Sequence, residues 1–430
     1  MVVEVDLENG KTLARVSLKS RALTLSFDPT PVFTFDAAGR VIGAFIGGRH
    51  YKRGLDNRVM EKHRAGSWSG DAASSGADPA SWCRGRPGIR QARRYLNDRE
   101  RGRFLCQVQE AAERIRRVVG TEGHASRCLP STVRDRLGAW LTSAASWDEG
   151  RYQEDAARFK RVYGSIGILP PDQYLSVVVQ VTEGCPWNRC SFCSIYRGKT
   201  YRVRPLDELR DHVREVVAFF GGSIGLRRSI FLADANALAV DQDGLLARME
   251  VIREAIPPRR KGTDGMYSFL DTFTGSRKTP SYYRDLAGLG LKRVYIGLET
   301  GDDRLLKVLN KPGNSGQAVE VVSALKAGGV SAGVIVMVGA GGDRYAGDHV
   351  QGTIRAVNQM GLGRGDIIYF SEMVVHPGSM YERWSGEAGV RSLCPEGMSA
   401  QRAALKNGFR FSEPTRRPKM AAYDISEFLY

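Results

Sequence analysis

No stretch of this 430-residue chain approaches the roughly 18 to 20 consecutive apolar residues that a membrane-spanning helix needs. Its first residues, Met1-Val-Val-Glu-Val-Asp-Leu-Glu8, carry neither the basic n-region nor the apolar h-region of a secretory leader. A cytoplasmic protein with no membrane partner is therefore expected. Cysteine is scarce, seven residues and hence an odd number, which argues against a disulfide framework and for metal ligands or catalytic thiols in a reducing compartment. Four of the seven, Cys83, Cys106, Cys128 and Cys394, lie too far apart in sequence to suggest a second cluster. Negative charge is also short: 47 acidic residues against 63 basic ones leave a formal charge of +16, which suits an acidic partner such as nucleic acid, an anionic cofactor or a lipid surface. Residues 1 to 165 hold 29 basic and 19 acidic residues, so the first third or so carries more than half of that excess.

What is present is concentrated in Thr182-Glu-Gly-Cys185-Pro-Trp-Asn-Arg-Cys190-Ser-Phe-Cys193, which follows the apolar run Leu175 to Val181. Three soft thiolates at this spacing can surround one metal centre without a ligand from distant sequence. Structural zinc closes its tetrahedron with a fourth protein ligand, and no second Cys or His pair follows at short spacing. The incomplete set points to chemistry at an open metal position.

The rest of the chain reads as two or more domains, a length-based expectation. Residues 13–46 suggest a small antiparallel sheet with a hairpin turning at Gly39. Gly48 to Arg64 holds six Arg or Lys, two His and one Tyr, and reads as a phosphate-contacting run or as the solvated face of a helix from near Leu55. Ala65 to Ala80 reads as a linker, and Ile89 to Val119 as a helix whose arginines form a basic face. From Leu175 the pattern changes to apolar strands alternating with helices, six strands and at least five helices up to Ser379. Near-continuous apolar strands imply a parallel sheet covered on both faces, wound as a barrel or as an open doubly wound sheet. Polar residues just past the strand ends, Cys185, Asp234, Asp271, Glu299, Gly341 and His376, mark the rim where either fold places its site.

A strand followed by a cysteine triad ending Cys190-Ser-Phe192-Cys193 resembles the cluster loop of the radical S-adenosylmethionine (radical SAM) superfamily, over about Leu175 to Tyr381. The commonest family spacing has three residues between the first two cysteines, where Cys185 and Cys190 have four. The resemblance implies an α/β fold, a partial TIM-like (β/α)6 barrel, beside a mixed α+β N-terminal domain. The expected domains are residues 1–165, a core at 170–381 and a C-terminal extension at 382–430. The resemblance further implies a 4Fe-4S cluster on Cys185, Cys190 and Cys193, with S-adenosylmethionine on the open iron. Phe192 is implied as a cofactor contact. Asp234 or Asn236 would take the place of the acidic acceptor that binds the methionine amino group. Glu299 would reach the ribose or methionine end, and Val336, within Gly333 to Gly339, would pack on adenine. No Asp-x-His-x-x-Gly signature of a cobalamin module is present.

The leading expectation is an enzyme that reductively cleaves S-adenosylmethionine to abstract hydrogen from a substrate, fed by a flavodoxin- or ferredoxin-type electron donor. An alternative substrate class is tRNA or another RNA. The non-enzyme alternative is a metal-binding module that interacts with nucleic acid. The basic N-terminal segments are expected near the open side of the barrel.

Overall fold

The computed structural model describes residues 2–7, 12–19, 21–28, 30–64, 91–120, 130–256, 265–412 and 414–430. The linker read at residues 65–80, the arginines at 84, 86 and 90, and the cysteines at 83 and 128 lie outside these. The chain divides into two compact units: Met1–Ser165 with Glu215–Arg227 and Leu429–Tyr430, and Ile166–Arg214 with Arg228–Phe428.

The first unit holds an eight-stranded antiparallel meander in sequence order. Its strands are β1 (Val2–Leu7), β2 (Thr12–Leu18), β3 (Leu23–Phe27), β4 (Val32–Phe35), β5 (Val41–Ile46), β6 (Arg49–Arg53), β7 (Val59–Arg64) and β8 (Gln91–Tyr95). Period-two alternation puts Val5, Val16, Leu25, Phe33 and Phe35 on one face. There they form a single core with Leu105, Val108 and Ile115 of helix Asp98–Gly120 and with Leu137 and Leu141 of helix Ser131–Ala145.

The stretch expected to become helical from Leu55 is instead the β6–β7 hairpin, turning through Asn57 at φ 65°. Its charges are what make it a strand pair. Glu61 is buried on β7 and accepts from Arg49 on β6 and Arg94 on β8, each at 3.0 Å. Cross-strand pairs of this kind are available only at strand period. The helix read from Ile89 begins later, at Asp98. Asn97 and Glu100 exchange reciprocal side-chain bonds at 2.9 and 3.0 Å, a capping box that separates β8 from the helix.

In the second unit seven parallel strands run in the spatial order β9 (Ser176–Gln180), β12 (Ser229–Ala233), β13 (Met266–Leu270), β14 (Leu291–Glu299), β15 (Ser331–Val338), β16 (Ile367–Glu372) and β17 (Lys419–Ala422). Every strand neighbours its successor and the two end strands do not pair with each other. That order is an arc of a barrel. A doubly wound sheet would reverse direction within the order, so topology decides what sequence pattern left open. The architecture is an α/β partial barrel of the TIM-like kind, accompanied by the antiparallel N-terminal sheet. β9 and β12 are buried at every residue, as strands covered on both faces must be. The seventh strand, β17, comes from within residues 382–430 and is four residues long, too short to read from its own pattern. A further short antiparallel pair, β10 (Thr182–Glu183) and β11 (Arg202–Val203), stands apart from the arc. Among the described residues no helix is long and apolar enough to cross a membrane.

Candidate cluster loop and strand-end rim

The three cysteines sit on a loop whose two ends are tied by the β10–β11 pair. Glu183 reinforces the tie by accepting from Arg202 and Arg204, both at 2.7 Å. Gly184 opens the loop at φ 72°, where a Cβ would stand 2.9 Å from the Thr200 carbonyl oxygen. Within the loop Asn188 acts as a clamp: its backbone N–H donates to the Cys185 sulfur at 3.3 Å and its side-chain amide to the Tyr196 carbonyl at 2.7 Å. The loop then docks on the end of helix Asp303–Val308, where the Val308 carbonyl and the Leu309 and Asn310 carbonyls that follow it face the loop's donors. Ser191 donates its N–H to Leu309 at 2.9 Å and its hydroxyl to Val308 at 3.1 Å, and Trp187 donates to the Asn310 carbonyl at 2.7 Å.

Cys185, Cys190 and Cys193 are free, half-buried and within electrostatic range of one another. Burial pushes the Cys190 thiol up to about 12; Cys193, Glu299 and Cys185 add to the rise and Lys311 opposes it. Burial likewise raises Cys193. In the metal-free loop Cys190 and Cys193 are therefore neutral thiols. Among the described residues no three His, Cys, Asp or Glu side chains surround a point where a single metal ion fits. Three thiols within electrostatic range of one another, with no fourth ligand beside them among the described residues, suit a multi-iron cluster better, because its own iron and sulfide atoms fill the distance between the ligands.

At the end of β14, Glu299 is 7% exposed and sits at φ 60°, where the β14–β15 register shifts between Gly297 and Glu299. Lys311 donates to its carboxylate at 2.8 Å. Burial opposes the charge on Lys311, yet Glu299 and Cys190 outweigh it and hold the ammonium above its ordinary range. Sequence reasoning did not single out Lys311. Its one signal was a Lys after helix-end Asn310, ahead of Pro312-Gly313, and a surface loop explains that equally well. Gly297 makes room for the pair, since a Cβ there would meet Glu299 Oε1 at 2.4 Å and Lys311 Nζ at 2.6 Å.

Past β12, Asp234 is buried and turned back toward the loop. Its N–H donates to the Thr182 carbonyl at 3.1 Å, and its carboxylate accepts from the Gly184 N–H at 3.3 Å. Burial raises Asp234 to about 6, against bonds from Gln180 and Gly184 that lower it. Asn236 is 2% exposed and donates its amide to Asp271, the N-cap of Thr272–Gly275. That bond fixes which end of the amide points away, and Asn236 Oδ1 is left buried without a partner among the described residues. A buried acceptor in this state costs free energy until a donor fills it.

Phe192 packs against a cluster of Leu305, Leu309, Met337, Ala340 and Tyr381. Val336 is fully buried on β15, in register with Glu299. After β15 the Gly341 N–H donates to the Tyr381 hydroxyl at 3.0 Å, and the Tyr381 N–H donates to Ser191 at 3.1 Å, so the glycine loop and the cysteine loop share one support. Two other cysteines lie elsewhere: Cys394 caps helix Pro395–Gly408, and Cys106 is exposed beside Glu110 on helix Asp98–Gly120.

Residues 179–355 match the family model described as the Radical SAM superfamily. No curated protein matches the sequence. Among solved structures the chain is similar to coproporphyrinogen III oxidase from Escherichia coli, described as a radical SAM enzyme, at 13% identity and TM-score 0.44, covering 61% of this chain and 56% of that one. It is similar to the radical S-adenosylmethionine methyltransferase TsrM from Kitasatospora setae at 16% identity and TM-score 0.38, covering 51% and 38%. It is also similar to OxsB, a cobalamin-dependent S-adenosylmethionine radical enzyme, at 14% identity and TM-score 0.36, covering 56% of this chain and 33% of that one. The chain thus spans about a third of the length of OxsB and of TsrM. The likeness to the family rests on the sequence match over residues 179–355.

Proposed function

We propose that residues 179–355, which match the radical SAM family model, form a radical SAM domain in which Cys185, Cys190 and Cys193 hold the 4Fe-4S cluster while the rim past β12, β14 and β15 holds S-adenosylmethionine. Bound there, the group supplies one-electron cleavage of a sulfonium to a carbon radical that takes hydrogen from a substrate, with the electron delivered by a flavodoxin- or ferredoxin-type donor. The chain's own part is positioning. Three thiolates satisfy three irons and leave the fourth without a protein ligand. Asn236 Oδ1, a buried acceptor without a partner among the described residues, would accept a hydrogen bond from the cofactor's ammonium. Glu299, held by Lys311, presents a carboxylate oxygen to hydroxyls, and Phe192 and Val336 give the apolar surface for the base. Asp234 braces the first residue of the cysteine loop through Gly184.

The observation that carries this reading is the triad of mutually interacting thiols tied by β10–β11 and docked on the helix after β14. Anaerobic reconstitution tests it. The wild-type chain is expected to take up close to four irons and, with dithionite, to release 5′-deoxyadenosine from S-adenosylmethionine, whereas Cys190→Ala loses both. A chain that binds metal and nucleic acid but leaves the cofactor intact under dithionite would instead be an interaction module.

RNA as the substrate class is supported by the face of the N-terminal sheet opposite its core. The register sets His50, Lys62 and Arg93 side by side, with Lys52 and Tyr95 two residues along. Tyr95 is 41% exposed, and Arg58 lies 5.1 Å from its ring centroid. Cations interleaved with an exposed aromatic ring suit phosphates and stacked bases.

A further inference from the structure

Directly after β15 the chain turns through Gly339-Ala340-Gly341-Gly342, with φ 87°, 74° and 55° at the three glycines. Such a run has almost no side chain of its own to fix it, and glycine backbone is the freest there is. The loop is held from outside, by two side chains from later in the chain. Tyr381 supports Gly341, and Gln401 supports Gly339, whose N–H donates to the side-chain oxygen at 2.7 Å. Gln401 is 5% exposed. A backbone N–H can be met only by an acceptor, so chemistry settles the orientation of the amide, with Oε1 toward Gly339. Its Nε2 is buried without a partner among the described residues, which leaves the oxygen as the working end of the side chain.

Gln401 sits on helix Pro395–Gly408, and Met398, three residues earlier, shares its face. The Met398 Cε lies 3.0 Å from where a Cβ on Gly339 would stand, so glycine is what lets the helix approach this closely. Arg402, the next residue, donates to Glu372, the last residue of β16. The Met373 N–H that follows donates to the Val338 carbonyl at 2.8 Å. The ends of β15 and β16 are thus joined to each other and to this one helix. Met398, Gln401 and Arg402 all lie beyond residues 179–355, the part that matches the family model.

We infer that Gln401 is a positioning residue for S-adenosylmethionine: by fixing the Gly339 peptide from the C-terminal segment, it sets the end of β15 against which the nucleoside packs. The inference rests on the function proposed above, in which Val336 on β15 gives apolar surface to the base. A binding surface made of backbone works only if that backbone is held to within about 0.5 Å of its productive place. A glycine loop cannot hold itself so closely, and the side chain that holds it acts on affinity without touching the cofactor.

The test is the dependence of 5′-deoxyadenosine release on S-adenosylmethionine concentration, under dithionite, for the reconstituted full chain and its variants Gln401→Leu and Gln401→Glu. Gln401→Leu keeps the volume and removes the acceptor, so KM should rise about 10-fold or more. Iron content and the rate at saturation should stay within about 3-fold of wild type, as expected when binding is lost and chemistry is kept. Gln401→Glu returns an oxygen to the same place and should bring KM back to within about 3-fold of wild type. A KM unchanged in Gln401→Leu, or not restored in Gln401→Glu, would overturn the inference. So would a loss spread equally over iron content, rate and KM, which marks a folding defect. Each of these leaves cluster assembly and cofactor cleavage by the wild-type chain standing. A wild-type chain that takes up iron yet releases no 5′-deoxyadenosine would instead overturn the proposed function and this inference together.

Discussion

At the scale of single residues, two neighbours past β12 divide the work that sequence could assign to either. Asp234 spends its oxygens on the Gly184 N–H and Gln180, while Asn236 is tied at its amide end and open at its oxygen. Asn236→Leu should therefore leave the iron content unchanged and weaken S-adenosylmethionine by about 10- to 100-fold, the worth of one hydrogen bond to a charged group. Equilibrium binding to the reconstituted variant reads this, and unchanged affinity would refute the assignment. Asp234 is expected to show itself through pH. Its folded pKa of about 6 lies above the ordinary value of 3.8, so the folded state binds the proton more tightly. The stability this adds is full below pH 3.8 and is lost as pH rises through 6. In the metal-free protein, wild type should lose on the order of 3 kcal/mol relative to Asp234→Asn between those limits. Denaturant midpoints of the two proteins at pH 4, 5, 6 and 7 measure the difference, and parallel curves would contradict it.

At the scale of elements, the cysteine loop is a clasp: a two-residue strand pair closes it, and a helix end receives it. Gly184 is the tightest point. An alanine there must adopt φ 72° at a cost of about 1–2 kcal/mol and also push its Cβ against Thr200. Gly184→Ala should lower iron incorporation well below wild type while the far-ultraviolet circular dichroism stays the same. Full iron loading in that variant would show that the clasp is dispensable. The same scale explains what sequence could and could not yield. The strand–helix units of the second unit were legible because β9 and β12 are buried throughout, and a doubly covered strand has to be written as an apolar run. β17 was not, because four residues at an edge need no such run. The β6–β7 hairpin was misread because its core-facing positions include Arg53 and Glu61, whose burial depends on partners that only the folded hairpin supplies, Asn57 in the turn for Arg53 and Arg49 and Arg94 on the neighbouring strands for Glu61. Helix Gly342–Gln359 begins directly after Gly341, which caps it at φ 74°, a start that glycine-rich sequence does not announce. Lys311 was invisible for a related reason: its meaning comes from Glu299, which the fold brings to it through a left-handed residue and a register shift.

At the scale of the whole molecule, the charge of +16 is spread over two units whose chemistry differs. The parallel arc sends every strand's carboxyl end to one rim, which explains why the cysteines, Asn236, Glu299 and the glycine loop gather there although more than 150 residues separate the first from the last. The antiparallel sheet has no such rim, and its outward face is instead organised by period two, which sets His50, Lys62 and Arg93 in one row. If RNA is the substrate, this row neutralises phosphates, and each phosphate neutralised releases counterion. Affinity for unmodified bulk tRNA should then fall steeply between 50 and 200 mM salt. Lys62→Glu together with Arg93→Glu should reduce the slope of log affinity against log salt by about 1 to 2, while leaving substrate-free cleavage of S-adenosylmethionine at its wild-type rate. Filter binding across a salt series, paired with 5′-deoxyadenosine release, separates the two effects. Binding that is absent, or that does not change with salt, would turn the assignment to a small-molecule substrate.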